Sequence, residues 1–206
     1  MKQTGFTLSE LLIVLVILVL ISIFAVPKLV SSANNTSKTS IIKEAYSAVS
    51  SKFYEAVQEG RITQSTGIDA QEQILNDINF TQICPSNCTT EGCYTTPLIG
   101  LLNAPQNSAG GILPNGAVIC GLNNQGAGIE HNGFIVDYNG ASPPNEIGED
   151  AVVMVMCLSA TSSSFCSHGQ FPNGTGKNMA VHYRDNAFAS SEYKEANRTL
   201  FLSLFE

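Results

Sequence analysis

The first apolar stretch of the chain is uniform around the helix that it predicts. In residues 11–26 the only polar side chain is Ser22, and in residues 6–26 the only charged one is Glu10. A helix of 21 residues spans roughly 32 Å, about the hydrocarbon thickness of a bilayer. Because apolar side chains surround the helix instead of forming one stripe, an aqueous core would not need it. The pattern predicts a membrane-spanning helix over 6–27 that contains one acid.

Three other interpretations of this stretch remain open. A cleaved secretory signal could use Lys2 as its basic end and 31–33 as a small-residue cleavage site. Against it, the apolar run exceeds the usual length of about 7–15 residues, and Glu10 lies where such signals are poor in acids. The other two are a generic single-span anchor and a buried core helix. Against the core helix, the run is too long and too uniformly apolar.

A second, amphipathic pattern begins after the Ser/Thr/Asn-rich segment 31–40. Its apolar positions recur every three to four residues and are Ile41, Ile42, Ala45, Ala48, Val49, Phe53, Ala56 and Val57. Gly60 offers a C-terminal cap. The two patterns together predict one long helix over 6–59, with a point at Pro27 where it could bend. Its second half would lay the apolar stripe on a sheet.

The remaining segment, 60–206, predicts a globular body. Residues 61–116 predict an irregular connection with a short helix at 68–78. Strands are predicted at Ala117–Leu122, Gly133–Tyr138, Ala151–Leu158 and Met179–Arg184, and a short helix in the tail, 190–206. Short strands with tight links favour an α+β fold, in which an antiparallel sheet packs on the long helix. Residues 152–156 are apolar on both faces, so that strand is predicted to be central.

The amino-terminal residues carry a family resemblance. The string Gly5-Phe6-Thr7-Leu8-Ser9-Glu10-Leu11-Leu12 resembles the processing site of type IV pilins and pseudopilins. The resemblance implies that a prepilin peptidase removes a leader, 1–5, by cutting after Gly5, and methylates the new amino terminus at Phe6. It also implies a pilin-like fold with a variable loop at 61–116, self-assembly with other pilins, and an inner-membrane assembly machinery as partner.

The physical chemistry of Glu10 supports an assembly role. A carboxylate in a bilayer costs at least about 2–3 kcal/mol, so it needs a partner or must reach the interface. In a lateral stack of subunits, Glu10 can neutralise the Phe6 amine of a neighbour and thereby fix the axial register. The alternative is that Glu10 reaches the cytoplasmic headgroups, since it lies near that end.

The distribution of charge and the sequence motifs argue against nucleic-acid binding and against catalysis. The chain has 10 Lys and Arg against 17 Asp and Glu, and no basic residue lies between Arg61 and Lys177. Such a body repels phosphate backbones, so direct nucleic-acid binding is not expected; it could attract cations or basic partners, or serve solubility alone. The sequence shows no hydrolase, P-loop or zinc-protease motif, and its three histidines, His131, His168 and His182, stand alone. An enzyme is not expected.

Six cysteines, Cys84, Cys88, Cys93, Cys120, Cys157 and Cys166, all follow the apolar segment. Lys2 favours a cytoplasmic amino terminus, so the body would be exported, and an even cysteine count there predicts disulfides. Zinc is the alternative, but the spacings are irregular and no Cys-x-x-Cys pair exists. Many pilins close a C-terminal loop with a disulfide, and this resemblance favours Cys157–Cys166. The other four cysteines allow three connectivities.

The segment 137–150 resembles the D-x-N-G, P-N, G-x-D turn of many pilins. A structural role suffices, because Asp and Asn side chains bond the local backbone and glycines permit positive φ. The alternative is a Ca²⁺ site built on Asp137, Asn139 and Asp150, which supply hard oxygen ligands. No other cofactor is expected.

Two short strings, 77–81 and 195–199, fit the acidic form of the bacterial N-glycosylation acceptor.

The sequence therefore favours a structural filament subunit. The helix would be stored in the inner membrane as a single pass and then enter the core of an extracellular type IV pilus. A pseudopilin of a type II secretion system, in a periplasmic pseudopilus, is the alternative within the family. A membrane-anchored periplasmic binding domain is the alternative from another class.

Overall fold

The computed structural model describes most of the chain. The described residues are 8–63, 69–84, 88, 93, 98–100, 109–123, 132–140, 142–158, 180–183 and 188–205.

The longest element is helix α1, Leu8–Gln58, which has 51 residues and is continuous through Pro27. It ends in a Schellman motif, in which the N–H of Gly60 donates to Val57 O at 3.1 Å and the N–H of Arg61 donates to Ala56 O at 2.9 Å. Gly60 takes φ 72°, which a residue without Cβ adopts without strain. The cap predicted at Gly60 is the one that the structure uses.

The chain divides into two compact units, Met1–Lys38 and Thr39–Glu206. In the second unit, α1 buries a stripe on the sheet. Its members are at most 1% exposed and are spaced three or four residues apart: Ile42, Ala45, Val49, Phe53 and Ala56. Burial of such side chains contributes about 1.5–3 kcal/mol for each large one, so this stripe anchors the helix to the body.

The second unit contains one antiparallel sheet of six strands in sequential order. The strands are β1 Gln82–Cys84, β2 Gly110–Ile112, β3 Val118–Asn123, β4 Asn132–Asp137, β5 Ala151–Cys157 and β6 Ala180–Tyr183. Two further helices, α2 Asp69–Asn76 and α3 Ser191–Leu202, flank it, and a 3₁₀ turn, Ser203–Phe205, follows α3. The α+β architecture predicted from the sequence is confirmed, and four strands lie where they were predicted.

The prediction of an irregular connection over 61–116 is wrong in part. Besides the predicted short helix, this segment contributes strands β1 and β2. Each has three residues, and β2 contains Gly110 and Gly111, which have low strand propensity. Both glycines are required by close packing, because a Cβ at Gly111 would overlap the ring of Phe80 and one at Gly110 would overlap Ile119 O. Tertiary packing therefore overrides local propensity here.

Alternate residues of the central strands serve two cores on opposite faces of the sheet. On one face Ile119, Phe134 and Met154 pack with the buried stripe of α1. On the other, Cys120 and Val153 belong to a cluster that also contains Cys84, Cys88 and Cys93. All seven residues of β5 are buried, as predicted from its apolar pattern.

Candidate functional site

Residues 11–23 of α1 present apolar side chains on every side of the helix. Twelve large ones, the eleven from Leu11 to Ile21 together with Ile23, are each between 49% and 59% exposed. Because the exposure varies so little around the helix, no face of this segment is covered by another part of the described chain. The segment therefore offers a continuous apolar surface to lipid or to other protein molecules.

The one hydroxyl within this surface is satisfied inside the helix. Ser22 Oγ donates to Leu18 O at 2.8 Å, four residues earlier, which removes the cost of an unpaired hydroxyl in an apolar environment. Across the residues that the structure describes, no helix meets the combined length and apolarity of a membrane span. The membrane-spanning role of 6–27 stays a prediction.

Glu10 lies in the first turn of α1 with an exposed side chain. A carboxylate at this position complements the partial positive charge at the helix amino terminus. Gly5 and Phe6 lie outside the described residues, so the predicted cleavage and the predicted pairing of Glu10 with a Phe6 amine stay predictions.

A second cluster of polar side chains lies at the end of β4, where Asp137 starts the turn. The side-chain Oδ1 of Asp137 accepts hydrogen bonds from the backbone N–H groups of Asn139 and Gly140, both at 3.0 Å. Gly140 has φ 63°, the conformation that the D-x-N-G string was expected to require. Asp137 thus stabilises the turn, because its carboxylate oxygen takes the place of a backbone carbonyl as the acceptor for these two N–H groups.

Asp150 closes the same loop from its other end. Its Oδ2 accepts from the backbone N–H of Asn145 at 2.8 Å, and its Oδ1 accepts from that of Glu146 at 2.6 Å. Asn145 and Gly148 both have positive φ, at 49° and 85°. The two acids therefore organise the loop through four backbone hydrogen bonds.

Burial of the two acids has an electrostatic consequence. Burial, and secondly the charge of Asp150, raise the pKa of Asp137 from 3.8 to about 8, although the N–H groups of Asn139 and Gly140 oppose the change. Burial and the Asp150 charge also raise the pKa of Tyr138. The Asp137 carboxyl therefore resists carrying a negative charge at neutral pH.

The same oxygens are the ones expected for Ca²⁺. Within the described part of the chain, no group of three or more His, Cys, Asp or Glu side chains is placed to hold a metal ion. One further oxygen, Oδ1 of Asn139, is buried without a hydrogen-bond partner. Two carboxylates and one amide are fewer than the roughly 6–8 oxygens that Ca²⁺ takes, so carbonyl oxygens or water would have to complete the shell. The calcium site stays a prediction, and the observed hydrogen bonds support the structural role.

The amino-terminal residues match a known protein family model. A family model described as the prokaryotic N-terminal methylation motif matches residues 1–26. The chain carries a type IV prepilin-type amino terminus. No curated protein and no solved structure matches it. The resemblance predicted from Gly5 to Leu12 is confirmed. This prepilin-type motif implies a membrane-anchored precursor, processing by a prepilin peptidase and assembly with pilin subunits in general.

The described cysteines form disulfides, as expected. Cys84 pairs with Cys93 and Cys88 pairs with Cys120, each with a Cα–Cα distance of 6.1 Å. The pairs are interlocked in sequence, because Cys88 lies inside the loop that Cys84–Cys93 closes, and Cys88–Cys120 ties this loop to β3. Cys157 is also disulfide-bonded. Cys166 lies outside the described residues, so the Cys157–Cys166 pairing stays a prediction.

The two candidate glycosylation strings differ in the exposure of their central Asn. Asn79 is exposed between α2 and β1, whereas Asn197 on α3 is 0% exposed. The side chain of Asn197 accepts from Val153 N at 2.6 Å and donates to Val153 O at 3.1 Å. The prediction of an acceptor at Asn197 is therefore wrong for the folded protein, because its side-chain amide is buried and bonded to both backbone polar groups of Val153 on β5.

Sequence reasoning missed this role of Asn197. Among the described residues, the ladder between β5 and β6 begins at Met154, and Val153 lies one residue before it. An isolated Asn within a helix is an unfavourable residue, which is a weak signal of a tertiary hydrogen bond. Nothing in the spacing points to Val153 as the partner.

Proposed function

We propose that this chain is a structural subunit of a type IV pilus-like filament. Its leader is cleaved after Gly5, its new amino terminus at Phe6 is methylated, and the first half of α1 enters the filament core. The observation that supports this most directly is the prepilin-type motif joined to an apolar helix surface that the described chain leaves uncovered. The role is structural and not catalytic.

The subunit is stored as a single-pass protein of the inner membrane and is extracted by an inner-membrane assembly machinery. In the filament the body faces outward, to the outside of the cell. A pseudopilin of a type II secretion system would undergo the same processing and assembly, but its filament would stay in the periplasm. The long body, which is stapled by at least two disulfides, favours the extracellular pilus.

Processing is tested by the mass of the mature protein. We expect purified material to begin at Phe6 and to carry one methyl group on its terminal amine. A chain that begins at Met1 or at Asn34, with an unmodified end, would refute the proposal and favour a membrane-anchored binding domain or a secretory signal.

Assembly is tested at Glu10. We expect Glu10→Ala to insert into the membrane as the native chain does, because removing a charge from an apolar segment favours insertion. It should nevertheless be absent from filaments, because the amine of a neighbouring subunit is left unpaired. Carbonate extraction measures insertion, and immunoblots of the sheared fraction measure assembly.

The matched control for this experiment is Glu72→Ala, the same chemical change at an exposed position of α2. It should enter filaments at the native level. Recovery of the Glu10 variant in filaments at the native level would refute the proposed pairing of Glu10 with the amine of a neighbouring subunit. Shearing the cells also separates the two locations, since a secretion pseudopilus stays in the periplasmic fraction.

A further inference from the structure

The string 77–81 contains an acid, an Asn and a Thr at alternate positions, and it lies on the surface of the body. Its central residue, Asn79, occupies an irregular connection between α2 and β1 and has an exposed side chain. Among the described residues, no hydrogen bond to the Asn79 amide is found. Within the described part of the chain, Nδ2 of Asn79 is therefore available for reaction.

The flanking positions of the string are accessible as well. Asp77 forms an ion pair with Arg61 at 2.8 Å, with about one third of each side chain exposed. Exposed ion pairs of this kind contribute little net stability, so Asp77 can exchange Arg61 for another cation. Thr81 Oγ1 donates to Ile112 O at 2.9 Å in an exposed position at the start of β1.

An apolar surface lies beside Asn79, and Ile83 is its exposed member. A shallow cavity of about 260 Å³ lies between the end of α2 and the edge strand β1. Leu75, Ile78 and Phe80 line it together with Ile83, whose side chain is 76% exposed. Asn76 and Asn79 supply the polar groups of its wall. A group attached at Asn79 would shield this edge from pairing with other chains.

We infer that Asn79 is an acceptor for an N-linked oligosaccharide on the exported body, and that Asn197 is not. The donor is an oligosaccharide linked to a lipid pyrophosphate. Nδ2 of Asn79 forms a bond to C1 of the first sugar, the bond between C1 and the phosphate oxygen breaks, and the lipid pyrophosphate leaves. The nitrogen loses one proton, which passes to solvent water beside the released lipid pyrophosphate, and no electrons are exchanged.

The second string provides an internal control. Asn197 has the same acid and Thr spacing, but both polar atoms of its amide are bonded to Val153 and the side chain is fully buried. Modification of Asn197 therefore requires local unfolding of α3, whereas modification of Asn79 does not. Occupancy of the two positions reports accessibility within one molecule.

The experiment incubates the folded, detergent-solubilised full chain with a bacterial oligosaccharyltransferase that requires an acid two residues before Asn, and with its lipid-linked donor. Peptide mapping by mass spectrometry reads both positions. We expect at least about tenfold higher occupancy at Asn79 than at Asn197, and a ratio near one after reduction and denaturation. Asn79→Gln and Asp77→Asn should each abolish the modification while the fold is retained.

Three results would overturn the inference. The first is no glycan on the folded chain while a short acceptor peptide is modified in the same reaction. The second is a glycan at Asn79 only after denaturation, which would mean that the fold hides the position. The third is equal modification of Asn79 and Asn197 in the folded chain.

Discussion

Replacement of Asp137 by Asn tests the electrostatics of the buried loop. Asp137 is 0% exposed at the end of β4, and its pKa is raised from 3.8 to about 8, first by burial and then by the charge of Asp150. An amide at this position keeps an Oδ1 that can accept the two backbone N–H groups of Asn139 and Gly140. It cannot ionise. The substitution therefore removes the titration and preserves the acceptor of the turn.

The sign of the effect follows from linkage. The pKa of Asp137 is higher in the folded chain than in the unfolded one, so the folded chain binds an extra proton between about pH 4 and pH 8. Its contribution to stability is complete below pH 4 and is lost as the pH rises to 8. Each pH unit changes the free energy of unfolding by up to about 1.4 kcal/mol. Over this window the native chain should lose up to about 6 kcal/mol that the Asp137→Asn variant keeps.

Urea unfolding of the detergent-solubilised chain, followed by near-ultraviolet circular dichroism of its six tyrosines, measures this difference. The native chain and the Asp137→Asn variant should agree within about 1 kcal/mol near pH 4, and the variant should be the more stable near pH 7.5. Glu149→Gln, at an exposed position of the same loop, is the control and should keep the native pH dependence. A native-like pH dependence in the Asp137 variant would refute the reasoning.

Three further outcomes are expected. Asn197→Ala should cost about 1–3 kcal/mol in the free energy of unfolding, because it leaves the N–H and C=O of Val153 buried and unpaired; an unchanged urea midpoint would contradict this role. Gly121→Ala should cost about 1–3 kcal/mol, because a Cβ there would overlap the buried side chain of Gln71, and adding Gln71→Ala should recover most of the loss. If the loop 137–150 binds Ca²⁺, millimolar Ca²⁺ should raise the unfolding midpoint near pH 7.5 and a chelator should reverse it; no shift would remove the calcium hypothesis.

Periodicity predicted the elements that have a continuous apolar pattern. The stripe that includes Val49 and Phe53 repeats at helical spacing, so the second half of α1 could be predicted from the sequence, as could its cap at Gly60. The apolar run of β5 likewise identified a strand buried on both faces. The short strands β1 and β2 could not be found in this way, since three residues are too few for a period to emerge.

Pairings between distant residues were not predictable from local patterns. The spacing of Cys84, Cys88 and Cys93 allowed several connectivities. The pairing of β1 with β2 and of β2 with β3 brings the segment that follows β1, with Cys88, near Cys120 on β3. The role of a polar side chain could be predicted when its hydrogen-bond partner lies nearby in the sequence, and could not when the partner is distant. Asp137 bonds residues two and three positions ahead, which its D-x-N-G string indicated, whereas Asn197 bonds a strand 44 residues away.

The proposed filament role raises the question of what would draw the exposed apolar residues 11–23 of α1 from the membrane into a bundle of helices. Lipid tails are as apolar as Leu and Ile, so moving the side chains around Leu15 from lipid to a bundle of like helices gains little hydrophobic free energy. Selection must therefore come from close packing and from polar groups. Within residues 8–23 the polar groups are Ser9, Glu10 and Ser22, and Ser22 already bonds its own helix. Glu10 carries the only charge there, so it is the group whose free energy differs most between lipid and a bundle that supplies an amine. This difference is why a Glu10 variant should be defective in assembly while it retains insertion.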